Sequence, residues 1–208
     1  MFISSYCSGQ ESPNFLWLVC EDQSLFFSMY GDSSANTPNI NQLAKDGIVY
    51  QNCYTTSPVC APSRSSLITG MYPTTLGTQH MRAYKKSAAK NAINLHNSLP
   101  YYSAKPKKLI RFFTEELRAN GYYCSNNSKE DYNMMTSPLA WDESSQTAHW
   151  RNRKAGQSFF SIFNFNVTHE SNIWKNKTSY SKEELENVVN PYLFPDDSGI
   201  RGDLLTNY

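Results

Sequence analysis

The stretch Val59-Cys60-Ala61-Pro62-Ser63-Arg64-Ser65-Ser66-Leu67-Ile68-Thr69-Gly70 puts a thiol, a proline and an arginine within five positions. Pro62 fits the first turn of a helix, where a missing backbone N–H costs nothing. Gly70 is a natural stop. Cys60 then lies beside unpaired N–H groups and the positive end of the helix dipole, which together favour an anion. Arg64, one turn further in, adds a planar fork of donors suited to a sulfate or phosphate group. A cysteine, an anion-binding helix end and an arginine thus converge on one point, a place to hold an oxyanion. The competing reading is a buried structural cysteine ahead of a surface helix.

Other chemistry-bearing residues sit where strands end. Glu21 and Asp22 follow the apolar run Phe15-Leu16-Trp17-Leu18-Val19. Two adjacent acids at the end of a strand suit an oxygen-ligand cation site, and a solvated turn is the alternative. His169 follows Ser158-Phe159-Phe160-Ser161-Ile162-Phe163-Asn164-Phe165. A histidine just past a central strand is placed for proton transfer, and a loop histidine bonded to a carbonyl is the alternative. His80 and Arg82 are candidates to hold an anionic substrate, against the plain reading of a surface histidine.

The elements that position these residues can be read in turn. Both apolar runs are expected to be strands buried on both faces. Thr37 to Ala44 reads as a helix with Thr37 as N-cap and Pro38 at its first position. Ile40, Leu43 and Ala44 form its apolar face, and Gly47 closes it. Ile48-Val49-Tyr50 is expected to start a strand. Leu109 to Asn120 is expected to be a helix with Ile110, Phe113 and Leu117 on one side and Gly121 at its end. Tyr122-Tyr123-Cys124 is the next strand. Ser181 to Asn190 is a further helix, capped by Ser181 and Glu184 and ended by Pro191. Another helix starts before Tyr208. The alternation predicts an α/β fold, a mostly parallel sheet flanked by helices on both faces.

Cys60-Ala61-Pro62-Ser63-Arg64 followed by Leu67-Ile68-Thr69-Gly70 resembles the sulfatase signature. So do Pro13-Asn14 ahead of the first strand, the acid pair after it, the Thr-Pro-Asn helix, and Gly47-Ile48-Val49-Tyr50. The resemblance implies that Cys60 is oxidised to formylglycine, whose hydrate is the nucleophile. It implies a Ca²⁺ ion held by Glu21, Asp22 and the modified Cys60, with Glu21 where many members carry Asp. It implies that His169 protonates the leaving oxygen and that Lys129, from the family's Lys-x-His element, neutralises charge together with Arg64. Asp131 stands at the histidine position of that element, a departure from the family pattern. The implied reaction is hydrolysis of a sulfate ester or sulfamate. A phosphonate or phosphodiester hydrolase of the alkaline phosphatase superfamily, or a non-catalytic remnant that binds anions, are the other readings. The implied partners are a sulfated small molecule or glycan and a formylglycine-generating maturation enzyme.

The chain has 208 residues, with 19 Lys and Arg against 18 Asp and Glu. That near balance gives no overall case for nucleic-acid or membrane binding, and no run is long and apolar enough to span a bilayer. The basic residues Arg82, Lys85, Lys86, Lys90, Lys105, Lys107, Lys108 and Arg111 favour a polyanionic glycan only weakly, since a solvated loop is the default reading. The long loop from about Lys85 to Pro106 reads as a substrate-facing insertion. Five cysteines leave at least one unpaired in any disulfide scheme. Met1 to Pro13 lacks the layout of a secretory signal. The family is commonly exported or lysosomal, so the location stays unknown. Sequons at Asn126, Asn166 and Asn176 and the tripeptide Arg201-Gly202-Asp203 carry little information by themselves.

In the family an Asp-containing strand, a later lysine and a smaller C-terminal domain follow. Residues 1–208 are therefore expected to be the N-terminal portion of a sulfatase catalytic domain. As such, the chain is expected to bind Ca²⁺ weakly, to show no turnover, and to be poorly soluble through an exposed sheet edge.

Overall fold

The computed structural model describes residues 12–81, 104–105 and 109–207. Arg82 and most of the basic loop lie outside them. The chain forms two compact units. One holds the described residues of Met1–Leu18 and Thr56–Phe163, the other those of Val19–Thr55 and Asn164–Tyr208.

Among the described residues the first unit is built on a sheet of four strands: β1 (Phe15–Cys20), β2 (Tyr123–Asn127), β3 (Glu143–Ser144) and β4 (Phe159–Phe165), whose last residues, like those of β1, belong to the second unit. Their order is β1-β4-β2-β3. β2 runs parallel to β4, from Tyr123 opposite Phe159 to Asn127 opposite Phe163. β3 is parallel to β2, with Ser125 opposite Glu143. Parallel neighbours, with helices in the chain between β1 and β2, are the α/β arrangement that the alternation predicts.

Side chains alternate across β4. Phe160, 2% exposed, meets Trp17, Phe113 and Trp141 at ring-centroid distances of 5.0, 5.1 and 6.1 Å. Its neighbour Phe159 stacks on Trp150, and the Arg153 guanidinium lies over both rings. Such pairs add about 0.5–1.5 kcal/mol each to the area they bury. On the Phe159 face Ser125 and Ser161 pair their hydroxyls at 2.7 Å, which satisfies two fully buried polar groups.

β4 is buried as its apolar run predicts. β1 is not, although its run is just as apolar. Phe15, Leu16, Trp17 and Leu18 are 37–57% exposed. The reason is position: among the described residues β1 is the last strand of the ladder, and continuous apolarity does not tell an edge from a centre. Phe15 and Trp17 pack on Tyr122, Phe113 and Phe160, leaving Leu16 and Leu18 on the alternate face.

Helix α1 spans Pro38–Asp46, α2 Cys60–Thr69, α3 Pro73–Leu76 and α4 Phe113–Ala119. α1 forms where expected, but the Thr37 side chain does not cap it and bonds Ser28 Oγ at 2.9 Å instead. Leu43 on its apolar face is 66% exposed. Ile48-Val49-Tyr50 forms no strand. It has no ladder partner among the described residues, and Ile48 is 82% exposed. α4 begins four residues later than its periodicity predicts. Glu115 Oε1 accepts the Phe112 N–H, a capping contact that fixes the start at Phe113. Leu109, ahead of it, is 95% exposed.

In the second unit α5 spans Ser171–Asn176, α6 Lys182–Glu186 and α7 Ser198–Asn207. The Ser181–Glu184 capping box is formed, but α6 stops at Glu186, short of the expected Asn190. Arg201 is committed to this packing. It donates to Asp196 at 2.7 Å and to the carbonyls of Leu185 and Val188. Asp203 pairs with Lys177 at 3.2 Å. The Arg-Gly-Asp tripeptide is thus part of a helix with both charged ends engaged. Asn126, the first sequon, is fully buried within β2.

Candidate active site

In the first unit the chemistry begins at α2. Cys60 is its first residue and Val59 its N-cap. Gly70 ends it in the left-handed region, at φ 69°, and donates to Ser66 O at 2.8 Å. This is the helix mouth that Pro62 and Gly70 predict. Arg64 is 6% exposed. Its Nε donates to the Glu130 carbonyl at 3.0 Å, and a terminal nitrogen donates to the Lys129 carbonyl. The arginine of the signature thereby holds the main chain of the loop that carries the candidate lysine.

That loop follows β2 and is tightly wound. Ser128, Asp131 and Asn133 have φ of 156°, 50° and 56°. Positive φ costs roughly 1–2 kcal/mol for most L residues and less for Asn and Asp. Several side chains support the loop. Glu130 accepts the hydroxyls of Thr136 and Ser144, both at 2.6 Å. Tyr132 is buried edge-on against Phe112, with centroids 5.3 Å apart, and burial pushes its phenol up. Lys129 Nζ lies 3.9 Å from Asp131 Oδ2, with both side chains largely buried. The residue at the family's histidine position therefore faces the lysine as a counter-charge.

His80 is exposed, and its carbonyl accepts the side-chain amide of Asn133. The same amide donates to Thr78 O at 3.2 Å. Thr78 is fully buried and shares a 2.7 Å hydroxyl contact with Ser65 of α2. The run Ser128 to Asn133, rich in turn-formers, is the sequence signal for Glu130 and Asn133. Residue type gives no such signal for Thr78.

In the second unit Glu21, Asp22 and His169 come together. Glu21 is 5% exposed. Its N–H donates to Phe165 O at 3.1 Å, and its carbonyl accepts Thr168 Oγ1 at 2.5 Å. Asp22 has φ 51°, and its Oδ2 accepts the Glu170 N–H at 2.9 Å. His169 Nε2 lies 3.9 Å from the same Oδ2. His169 Nδ1 accepts the Ser171 N–H at 3.2 Å. A backbone N–H can only donate, so in the neutral ring the proton sits on Nε2, toward Asp22. The two acids offer hard oxygen donors, the type Ca²⁺ takes. Among the described residues no three His, Cys, Asp or Glu side chains gather into a metal cage.

The Sulfatase family model matches residues 13–193 of this chain. The chain belongs to the sulfatase family. A ulvan-active sulfatase of Formosa agariphila is 47% identical over 176 residues, covering 85% of this chain and 28% of that protein. Human N-acetylgalactosamine-6-sulfatase is 34% identical over 79 residues, covering 38% of this chain and 15% of its own. The chain thus spans less than a third of either relative. Among solved structures, a 2-O GAG sulfatase superposes with a TM-score of 0.59 at 17% identity, covering 89% of this chain and 40% of that one. A protein solved in complex with its substrate D-glucosamine-2-N,6-O-disulfate superposes with a TM-score of 0.52 at 18% identity, covering 84% and 40%. These neighbours share the α/β sulfatase fold. The four described cysteines, Cys20, Cys53, Cys60 and Cys124, are all free thiols.

Proposed function

We propose that this sulfatase chain belongs to an enzyme that hydrolyses sulfate esters of a polysaccharide, using a formylglycine made from Cys60. The observation that carries the reading is the signature helix itself, with Cys60 at its mouth and Arg64 tied to the Lys129 loop. The modified Cys60 would supply the nucleophilic oxygen. Lys129 and Arg64 would stabilise negative charge on the sulfate, as fixed cations do best in a preorganised site. His169 would carry a proton on Nε2 for the departing sugar oxygen, with Nδ1 held by the Ser171 N–H. Glu21 and Asp22, together with the modified Cys60, would hold Ca²⁺, which when bound supplies positive charge against the oxyanion. His80 and Arg82 would bind the sulfated ligand. The ulvan activity named for the Formosa agariphila relative makes a sulfated ulvan-type polysaccharide the first substrate to try.

The test begins with co-expression of the protein and a formylglycine-generating enzyme, followed by the mass of the Cys60 peptide. Release of sulfate and of phosphate is then compared on matched aryl esters, and sulfate release is measured on ulvan oligosaccharides. Formylglycine with sulfate release in excess of phosphate supports the reading. Phosphate release in excess supports a phosphodiester or phosphonate hydrolase. An unmodified thiol from a competent host, with no turnover, supports a non-catalytic anion binder.

A further inference from the structure

Asn133 makes two hydrogen bonds that cross between separate stretches of the first unit. Its side-chain nitrogen donates to the carbonyl oxygens of Thr78 and His80. Both partners can only accept, so the amide nitrogen, not its oxygen, faces them. Its own backbone lies at φ 56°, a region Asn enters more readily than other residues with a Cβ. Thr78 is anchored independently, fully buried and bonded to Ser65 of α2. His80, two positions on, is exposed. The segment is therefore fixed at Thr78 by the signature helix and held at His80 by the loop that carries Lys129.

We propose that Asn133 is a positioning residue that latches the Thr78–His80 segment to the lysine loop, so that His80 is presented to an anionic sugar in a fixed place. This rests on the reading of the protein as a sulfatase whose His80 binds sulfated ligand. The latch needs an amide and a backbone that tolerates positive φ. Asn133→Gly keeps the backbone freedom and loses both bonds. Asn133→Asp keeps the shape but sets acceptor against acceptor at two carbonyls.

The test uses the full chain. Binding of ulvan oligosaccharides is measured by calorimetry in a Cys60→Ala background, for the parent, N133G, N133D, H80A and N133G/H80A. Amide exchange across Leu76–Met81 is followed without ligand, and sulfate release is measured with Cys60 intact. N133G is expected to weaken binding about tenfold, the scale of one or two hydrogen bonds. KM should rise while kcat stays within about twofold, the pattern of lost uniform binding. N133D should be at least as weak as N133G, and exchange across Leu76–Met81 should quicken in both. N133G should add nothing to H80A, because both remove one interaction. Multiplying losses in N133G/H80A, or unchanged exchange in N133G, overturn the proposal. If the parent chain neither binds nor turns over sulfated ligand, the ligand-binding role of His80 fails in this chain, and exchange alone decides whether the latch exists.

Discussion

Arg64 Nε donates to the carbonyl oxygen of Glu130 at 3.0 Å, and the same guanidinium reaches the carbonyl of Lys129. One side chain thus joins the signature helix to the lysine loop by main-chain contacts that do not depend on the identity of residue 130. A lysine has no fork and cannot reproduce both bonds from one head group. Arg64→Lys is therefore expected to lower stability by about 2 kcal/mol, the scale of lost charge-assisted hydrogen bonds at a buried site. Urea unfolding of the two proteins measures it. A change under a few tenths of a kcal/mol would show that the loop holds itself.

The outer face of β1 sets solution behaviour. Leu16 and Leu18 are 50% and 57% exposed and lie on the same side of an edge strand. An apolar edge of this kind pairs with other chains unless charge blunts it. The chain is expected to bind a hydrophobic dye and to elute above its monomer mass of 23.8 kDa. The double substitution Leu16→Lys, Leu18→Lys should restore a monomer with little loss of stability, because each side chain is at least half exposed. Light scattering checks both. A dye-silent monomer in the unsubstituted chain would count against this account.

Alkaline pH should weaken the first unit through Cys124. Its thiol is fully buried in β2, and burial, followed by the nearby Asp142 carboxylate, pushes it up to about 12. In the unfolded chain the thiol ionises near its ordinary value of about 9. Between these values the unfolded state sheds a proton that the folded state keeps, so unfolding is favoured as pH rises. The stability from this group is full below pH 9 and is lost between about 9 and 12 at up to about 1.4 kcal/mol per pH unit. Melting followed from pH 8 to 10.5 should fall less steeply in Cys124→Ala than in the parent, after the neutral-pH loss from the cavity is subtracted. Identical slopes would mean the thiol titrates freely. In the native protein an alkylating agent should modify exposed Cys53 first and Cys124 last.

What the sequence made legible follows from what periodicity and caps can report. α2, with its cysteine and its glycine stop, and the Ser181–Glu184 cap are written in adjacent residues and form as expected. The pairing of Glu21, Asp22 and His169 was foreseeable only from strand ends, because the residues are far apart in the chain and meet through the Glu21–Phe165 and Thr168–Glu21 backbone contacts. The exposure of β1 was not legible, since an apolar run says nothing about how many neighbours a strand has. Nor was the role of Asn133. Its two bonds reach carbonyls more than fifty positions away, and carbonyls leave no mark on residue type.

His169 is the residue whose chemistry can be separated most cleanly from its packing. With Nδ1 occupied by the Ser171 N–H, only Nε2 is available to deliver a proton. General-acid help matters in proportion to the basicity of the leaving oxygen. His169→Ala should therefore slow hydrolysis by roughly 10²–10⁴ for an alkyl or sugar sulfate. It should do far less to a nitrophenyl sulfate, whose leaving group departs without a proton. The measurement is kcat/KM for a series of sulfates of rising leaving-group pKa, in the parent and in H169A of the protein carrying formylglycine. The gap between the two lines should widen as the pKa rises. A constant gap across the series would assign His169 to binding or to structure, and the proton would have to come from another group.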